Sequence, residues 1–415
     1  MPDDVTIALS QLRVGLYIEL DLKWFEHPFA FNRFKIKNPE QIHTLRSLGL
    51  KHVRYVAELS DVEPLSLATS APQETPAEPA EVSPAVLAKR AMMERLHAHR
   101  EAAARIETAF VDSAKAIRDI EKNLFAQPEE TVQKASRLVT HITDSILCTP
   151  ELAIHVMGDT LGSEEVYFHS LNVAMLSMMM GRELKLPQEI INVLGMGALF
   201  HDIGFEDIPD KIFNKLEPLT APEQNLYELH PHYGEVIAQR LHFQPAIATI
   251  IAQHHEFFDG SGYPNKLKGD AIGLLSRIVA IANNYDELCN PVNIANAVTP
   301  HEALSTMFAR QRGKFDPKLL QVFIRCMGVY PPGTVVELVN GMVGMVATVN
   351  SANPMKPVLV MYDVSIPRHE ALMLDMERET DLNIGKALRP AHVPPHVYAY
   401  LSPRKRVSYY FDATA

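Results

Sequence analysis

Val193-Leu194-Gly195-Met196-Gly197-Ala198-Leu199-Phe200-His201-Asp202-Ile203-Gly204 is the stretch that decides the fold. An unbroken apolar run, Val193–Phe200, leads straight into a histidine and an aspartate. The run reads as the end of a core helix, so His201 and Asp202 leave that helix inside the protein. Burying ionisable groups is costly unless they are paired or hold a metal. A His-Asp dipeptide alone is common by chance, and its position at the end of a buried helix is what gives it meaning.

Outward from this pair, histidines recur. Glu165 and His169 lie upstream, four residues apart and therefore on one face of a helix. His230-Pro231-His232 and His254-His255 follow downstream. Taken singly, each is an ordinary hydrogen-bonded core or surface histidine; the set at these positions is not ordinary. Imidazoles with a few carboxylates and no thiolates suit Fe, Mn, Zn or Ni. A carboxylate such as Asp202 can bridge two cations, which a histidine ordinarily cannot. Several helices that each send His, Asp or Glu inward build a binuclear site in a bundle. Such a site can deprotonate a water and offset charge on an in-line phosphoryl transition state.

With 415 residues the chain exceeds the roughly 250–300 at which single cores stop growing, so more than one domain is expected. Its 47% hydrophobic and 21% charged residues are an ordinary globular balance. The longest apolar stretches, Leu171–Met180 and Val193–Phe200, are about half a membrane span and read as core helices. The start, Met1-Pro2-Asp3-Asp4, is acidic, with no basic segment before an apolar block, so no signal peptide is expected. Cys148, Cys289 and Cys326 are scattered and odd in number, which suits a reducing compartment and a cytoplasmic location. They suggest neither a disulfide framework nor a thiolate zinc site. A net charge of −11 argues against coating duplex nucleic acid. It allows a small anionic ligand where metal ions supply positive charge locally.

Composition divides the chain. Residues 1–62 read as a small α+β module, with strand-like Val14–Leu20 and Val53–Ala57 on either side of a helix starting at Asn38-Pro39-Glu40-Gln41. There Asn38 can cap, Pro39 suits the first helical position and Gln41 can reach back as in a capping box. Residues 63–85 form a Pro/Ala/Glu-rich linker, extended and mobile by composition. Residues 86–130 carry an amphipathic helix with Ile106, Phe110, Ile117, Ile120 and Leu124 near helical spacing. That stripe fits a neighbouring helix of the same chain or a second copy, which leaves a homodimer open. Residues 131–330 are helical, and residues 331–415 are a β-rich segment. In the latter Thr334–Val339 and Met342–Val349 are joined by Asn340-Gly341, a strong hairpin signal, and Pro357–Tyr362 adds a further valine-rich strand.

The motifs resemble a known family. His254-His255-Glu256-Phe257-Phe258-Asp259-Gly260-Ser261-Gly262-Tyr263-Pro264 looks like the HHExxDGxGYP signature of the HD-GYP family, and His201-Asp202-Ile203-Gly204 looks like its HDIG motif. Tyr167–Ala174 resembles its upstream first-histidine segment, and Ile208-Pro209, Asn214-Lys215 and His230–Gly234 fill the expected intervals. The likeness spans roughly residues 135–330. The first 60 or so residues resemble an uncharacterised domain often fused ahead of such proteins. The resemblance implies a mainly α fold with a helical HD-domain core. It implies His169, His201, Asp202, His230, His254 and His255 as metal ligands, with Glu165 as the extra ligand of members with three metals. His201 and Asp202 carry the chemistry, with two or three divalent ions, Fe or Mn, as cofactors. Asp259, Gly260, Gly262, Tyr263, Pro264, Asp286 and Lys215 fall at the substrate. The glycines of that loop let the backbone approach a ligand, and Tyr263 can stack on a base or order the loop.

The sequence departs from the family at three places. Phe205 stands where a lysine usually follows HDIG, and Asn283 aligns with the last metal-binding aspartate. Asn283 can still ligate through its carbonyl oxygen, without charge, while Asp286 one turn on could substitute for it or keep its place near the substrate. Val292–Asn296 replaces a basic RPYR-like segment, removing bidentate phosphate donors. The expected reaction is hydrolysis of a 3′–5′ phosphodiester in cyclic di-GMP, giving linear pGpG and, after a second cut, GMP. Two alternatives stay open: hydrolysis of a hybrid cyclic GMP-AMP, and a degenerate receptor that binds a cyclic dinucleotide or signalling proteins without cleavage.

Overall fold

Asn38 ends an extended segment and turns the chain into a helix. Its side chain accepts the Gln41 N–H at 3.0 Å, Pro39 occupies the first turn, and the Gln41 side chain reaches back to the Lys37 N–H at 2.7 Å. The computed structural model describes residues 5–22, 27–29, 32–66, 112–120, 122–148, 166–213, 215, 217–291, 293, 296–350, 353–364, 366–368, 371–379, 382–389 and 392–401. The chain forms two units, Met1–Arg100 and Glu101–Ala415.

In the first unit, strands β1 (Val5–Ala8), β2 (Tyr17–Glu19) and β3 (Arg33–Lys35) precede helix α1 (Pro39–Ser47), and β4 (His52–Tyr55) follows it. All pairings are antiparallel, in the order β1-β4-β2-β3. Ile7, Leu16, Ile18, Ile36, Leu45 and Val53 are buried together as its core. The expected strands are present but shorter, while β1 and β3 went unread because three or four residues are too few to show a period of two.

The second unit begins with helical residues 112–120 and α2 (Pro128–Cys148). Ile117, Ile120 and Leu124 are buried in the main helical core, so this part of the stripe packs within the chain. Ile106 and Phe110 lie outside the described residues. Next come α3 (Val166–Glu183), α4 (Gln188–Leu199), α5 (Asp210–Phe213), α6 (Ala221–Tyr227), α7 (His230–Arg240), α8 (Pro245–Gln253) and α9 (Leu274–Cys289). The two apolar stretches read as core helices are the buried bodies of α3 and α4. Helices α10 (Pro300–Ala309) and α11 (Pro317–Met327) complete the bundle. Tyr285 of α9 meets Phe323 of α11 edge-on at 5.1 Å, an arrangement adding about 0.5–1.5 kcal/mol beyond burial alone.

After the bundle comes an antiparallel sheet of β5 (Val335–Leu338), β6 (Val343–Thr348), β7 (Val358–Met361), β8 (Met373–Asp375) and β9 (Ile384–Leu388), ordered β8-β7-β6-β5-β9. The Asn340-Gly341 turn joins β5 to β6, with Gly341 at φ +84 and the Met342 N–H donating to Asn340 Oδ1. Alternation splits the sheet: Val335 and Met345 pack with Val397 and Leu401 of α12 (Pro395–Leu401), while Val336, Leu338 and Val346 form a separate cluster. Among the described residues no helix is long and apolar enough to cross a membrane.

Candidate metal centre

The apolar end of α4 delivers His201 and Asp202 to the middle of the bundle. Gly204 follows because nothing larger fits: a Cβ there would lie 1.9 Å from the His230 carbonyl oxygen and 2.5 Å from the Gly234 nitrogen. That close approach sets the start of α7, with His230, beside the His-Asp turn. His169 enters from α3, and His254 and His255 follow the end of α8.

Asp202 lies between two groups of imidazoles. Its Oδ2 is 3.2 Å from His201 Nε2 and 3.6 Å from His169 Nε2, while its Oδ1 is 3.5 Å from both His230 Nε2 and His254 Nε2. Two sets of donor atoms converge here: His169, His201 and Asp202, and Asp202, His230, His254 and His255. The opposite ring nitrogens are tied down. His201 Nδ1 donates to the Ala198 carbonyl at 2.7 Å, His230 Nδ1 to Tyr227 at 2.8 Å and His254 Nδ1 to Ile251 at 2.7 Å. A carbonyl only accepts, so each proton sits on Nδ1 and each Nε2 lone pair faces the cluster. The His230 and His254 lone pairs approach each other at 3.2 Å, and His169 Nε2 lies 3.2 Å from His201 Nε2. Bare acceptors at that distance need a proton or a cation to reconcile them. The donor set fits divalent metal ions.

Electrostatics sort the histidines into two kinds. Burial pushes His254 down to about 4, against the pull of Asp202. Burial and the neighbouring imidazoles His254 and His230 hold His255 well below the usual range. Both are neutral at pH 7 and ready to ligate. Burial also acts to lower His169, but the Asp286 hydrogen bond and the charges of Asp286, Asp202 and Glu287 prevail and raise it to about 9. Burial opposes the charge on Asp202, yet contacts with His201, His230 and His254 keep its carboxyl well below the usual range. His169 and Asp202 keep 26% and 28% side-chain exposure whereas His201 is sealed, so the centre opens to solvent on one side.

The loop after His255 lies against this centre. Tyr263 stacks on His255 with centroids 4.5 Å apart and planes at 22°. Burial holds its phenol protonated. Gly262 cannot carry a side chain, since a Cβ would be 2.3 Å from the Phe257 nitrogen and 2.4 Å from the His255 carbonyl oxygen. Asp259 shapes the turn by accepting from the Ser261 N–H and hydroxyl, Gly260 takes φ +83, and Pro264 follows Tyr263 through a cis peptide bond. Lys215 is tied to Glu223 at 2.6 Å, so its ammonium is already engaged.

Asp286, expected as a substrate contact, is sealed from solvent with both oxygens committed. Its Oδ2 meets His169 Nδ1 at 2.7 Å, and its Oδ1 accepts from Asn172 at 2.8 Å and Asn290 at 2.8 Å. It holds His169 by its Nδ1. Asn283 is buried, donates from Nδ2 to Glu287 Oε1 at 3.1 Å, and its Oδ1 has no partner among the described residues. Phe205, in the lysine's place, stacks on His230 at 4.0 Å with planes at 18°. Glu165 and residues 292, 294 and 295 lie outside the described residues.

Three further residues escaped the sequence reading. Buried Glu256 accepts from the Asn265 and Leu267 N–H groups at 2.6 and 2.8 Å, anchoring the loop. Asn172 steadies Asp286, and Glu287 faces Asn283. For the last two, spacings of three and four from His169 and Asn283 were a usable signal.

The chain is similar to proteins whose activities are known. Its residues 130–319 match the HD domain family, and residues 4–135 match a domain of unknown function, DUF3391. The cyclic di-GMP phosphodiesterase PA4108 of Pseudomonas aeruginosa is 29% identical over 391 residues, 91% of each chain. The cyclic di-GMP phosphodiesterase response regulator RpfG of Xanthomonas campestris is 36% identical over 149 residues, 35% of this chain and 39% of that one. The 3'3'-cGAMP-specific phosphodiesterase 2 of Vibrio cholerae is 31% identical over 164 residues, 39% of this chain and 31% of that one. With the paired histidine groups around Asp202 and the signature running to Pro264, residues 130–319 carry an HD domain, and a DUF3391 region stands ahead of it.

Proposed function

We propose that this chain is a metal-dependent phosphodiesterase that hydrolyses cyclic di-GMP to pGpG. The observation that carries the reading is Asp202, whose two oxygens face two separate groups of imidazoles. The similarity to PA4108 across nearly the whole of both chains supports this substrate. When bound, the ions lower the pKa of water and offset charge on the phosphoryl group. The residues do the rest. Asp202, His169, His201, His230, His254 and His255 would hold the ions, and the carbonyls of Ala198, Tyr227 and Ile251 keep three of the rings in register. Tyr263 and the Asp259–Pro264 loop form the wall against which the nucleotide lies.

Iron or manganese fits imidazole with carboxylate. We infer two ions per chain, with a third if Glu165 also ligates, in which case Glu165→Gln lowers metal content by one. Cys289 and Cys326 are buried free thiols, in keeping with a reducing, cytoplasmic setting. A second copy and signalling proteins are the candidate macromolecular partners.

Hydrolysis of 3'3'-cyclic GMP-AMP is the second reading, favoured by the similarity to the Vibrio cholerae enzyme. The test is to incubate metal-reconstituted protein with several cyclic dinucleotides and resolve the products by chromatography. Linear pGpG from cyclic di-GMP is expected, and faster cleavage of the hybrid dinucleotide would favour the second reading. Binding without cleavage of either would make the protein a receptor.

A further inference from the structure

Phe205 follows Gly204 in the five-residue turn Ile203–Asp207, and its N–H donates to the Asp202 carbonyl at 3.0 Å. Because Gly204 has no side chain, this turn lies directly against the start of α7. The Phe205 ring therefore lands flat on His230, with centroids 4.0 Å apart and planes at 18°. Phe213 and Tyr227 meet the same ring at 4.7 and 4.9 Å, tilted by 45° and 54°. Phe205 is thus half-buried and engaged with protein on more than one side.

We propose that Phe205 is a positioning residue that fixes the ring plane of His230, and with it the direction of the lone pair offered to the cation of Asp202, His230, His254 and His255. The ring torsion of a histidine is broad when nothing restricts it. The hydrogen bond from Nδ1 to the Tyr227 carbonyl anchors one edge of His230, and a flat face at 4.0 Å restricts rotation about that anchor. His255 of the same group is braced alike, by Tyr263 at 4.5 Å and 22°. The His230 and His255 planes stand at 89° to each other, so two aromatic faces set two perpendicular imidazoles. On the other side of Asp202, His201 meets the rings of His169 and His254 only at steep angles, 58° and 85°. A lysine at 205 would remove the flat face and set an ammonium beside a cation's ligand, where like charges repel. The departure from the resembling sequences is then the gain of a brace as well as the loss of a phosphate donor.

This inference rests on the metal-dependent reading, and one experiment separates the two. Metal content and affinity of the full chain are measured without nucleotide in wild type and in four variants, with helical circular dichroism as the folding control. Phe205→Leu and Phe205→Met keep apolar bulk without a flat face, so the test survives if one of them fails to fold. Each should hold one ion as wild type does and bind the other about three- to tenfold more weakly, the worth of one aromatic stack. Phe205→Tyr, which keeps the face, should restore wild-type affinity. Phe205→Lys should weaken the same ion and bring no fall in KM for cyclic di-GMP. Wild-type affinity for both ions in the Leu and Met variants would overturn the proposal, as would equal weakening of both ions or a Tyr variant as weak as Leu. Phe205→Lys with both ions intact and a lower KM would overturn it too, making the position a vacated phosphate contact. Fewer than two ions in wild type would defeat the binuclear reading, and the difference between Leu and Tyr on the ion that remains would still decide the role of Phe205.

Discussion

His169 and His254 approach the same carboxylate from opposite sides, at 3.6 and 3.5 Å, and they are secured by different means. His254 is held by a backbone carbonyl of its own chain segment, so any sequence that ends a helix there supplies the support. His169 is held by Asp286, itself steadied by Asn172 and Asn290. The backbone-held ring is neutral at pH 7 and ready for a cation. The carboxylate-held ring is charged at that pH, so a cation must displace its proton. His254 is therefore set by helix geometry, and His169 by a chain of replaceable side chains.

The largest effect should come from removing what the halves share. Asp202→Ala is expected to abolish turnover and empty both sides while the helical circular dichroism signal survives, and His201→Ala should also abolish turnover. Near wild-type turnover in metal-supplemented buffer from either would show that the centre is not where the chemistry occurs.

A smaller effect should fall on one half. Asp286→Asn keeps the shape but weakens the hold on His169, and loss of such an outer partner typically costs about 10–100-fold in metal affinity. Titration should show one weakened ion and one unchanged. Equal weakening of both would erase the distinction between the halves.

Smaller again is the effect of pH on the stability of metal-free protein. His169 is raised, so its contribution is complete below the unfolded value of about 6.5 and lost as pH rises through about 9. His254 is depressed, so its contribution is complete above about 6.5 and lost as pH falls through about 4. Denaturant unfolding across this range should show both flanks, and Asp286→Asn should flatten the alkaline one alone. A single flank, or two that vanish together, would contradict the comparison. The smallest effect is expected from deleting the first unit. Every described ligand lies in Glu101–Ala415, so a chain beginning near Val86 should keep its metal and turnover. A folded truncation without activity would show that the first unit completes the site.

The histidines were legible because ligands leave a mark in sequence: an apolar run ending in His-Asp, or adjacent histidines before a glycine-rich turn. The supports were less legible. Asp286 looks like any acid near a site, and only the structure shows both oxygens spent on His169, Asn172 and Asn290. Lys215 is expected at the substrate from the resemblance, and its pairing with Glu223, eight residues on, shows only in the structure. Phe205 read as a lost lysine, whereas its ring against His230 is visible only once α7 is placed. The short strands β1 and β3 depend on partners far along the chain, which no local pattern reports.

Glu256 ties the ends of the catalytic loop together. It follows directly on His254 and His255, and its carboxylate grips the backbone beyond Tyr263 at Asn265 and Leu267. On the proposed reading, a nucleotide on Tyr263 and a cation on His254 would load the two ends of one strut. Reciprocity follows from linkage: whatever factor the ion adds to nucleotide affinity, the nucleotide returns to the ion. A cell short of metal would see its messenger persist, and a cell rich in messenger would see the metal retained.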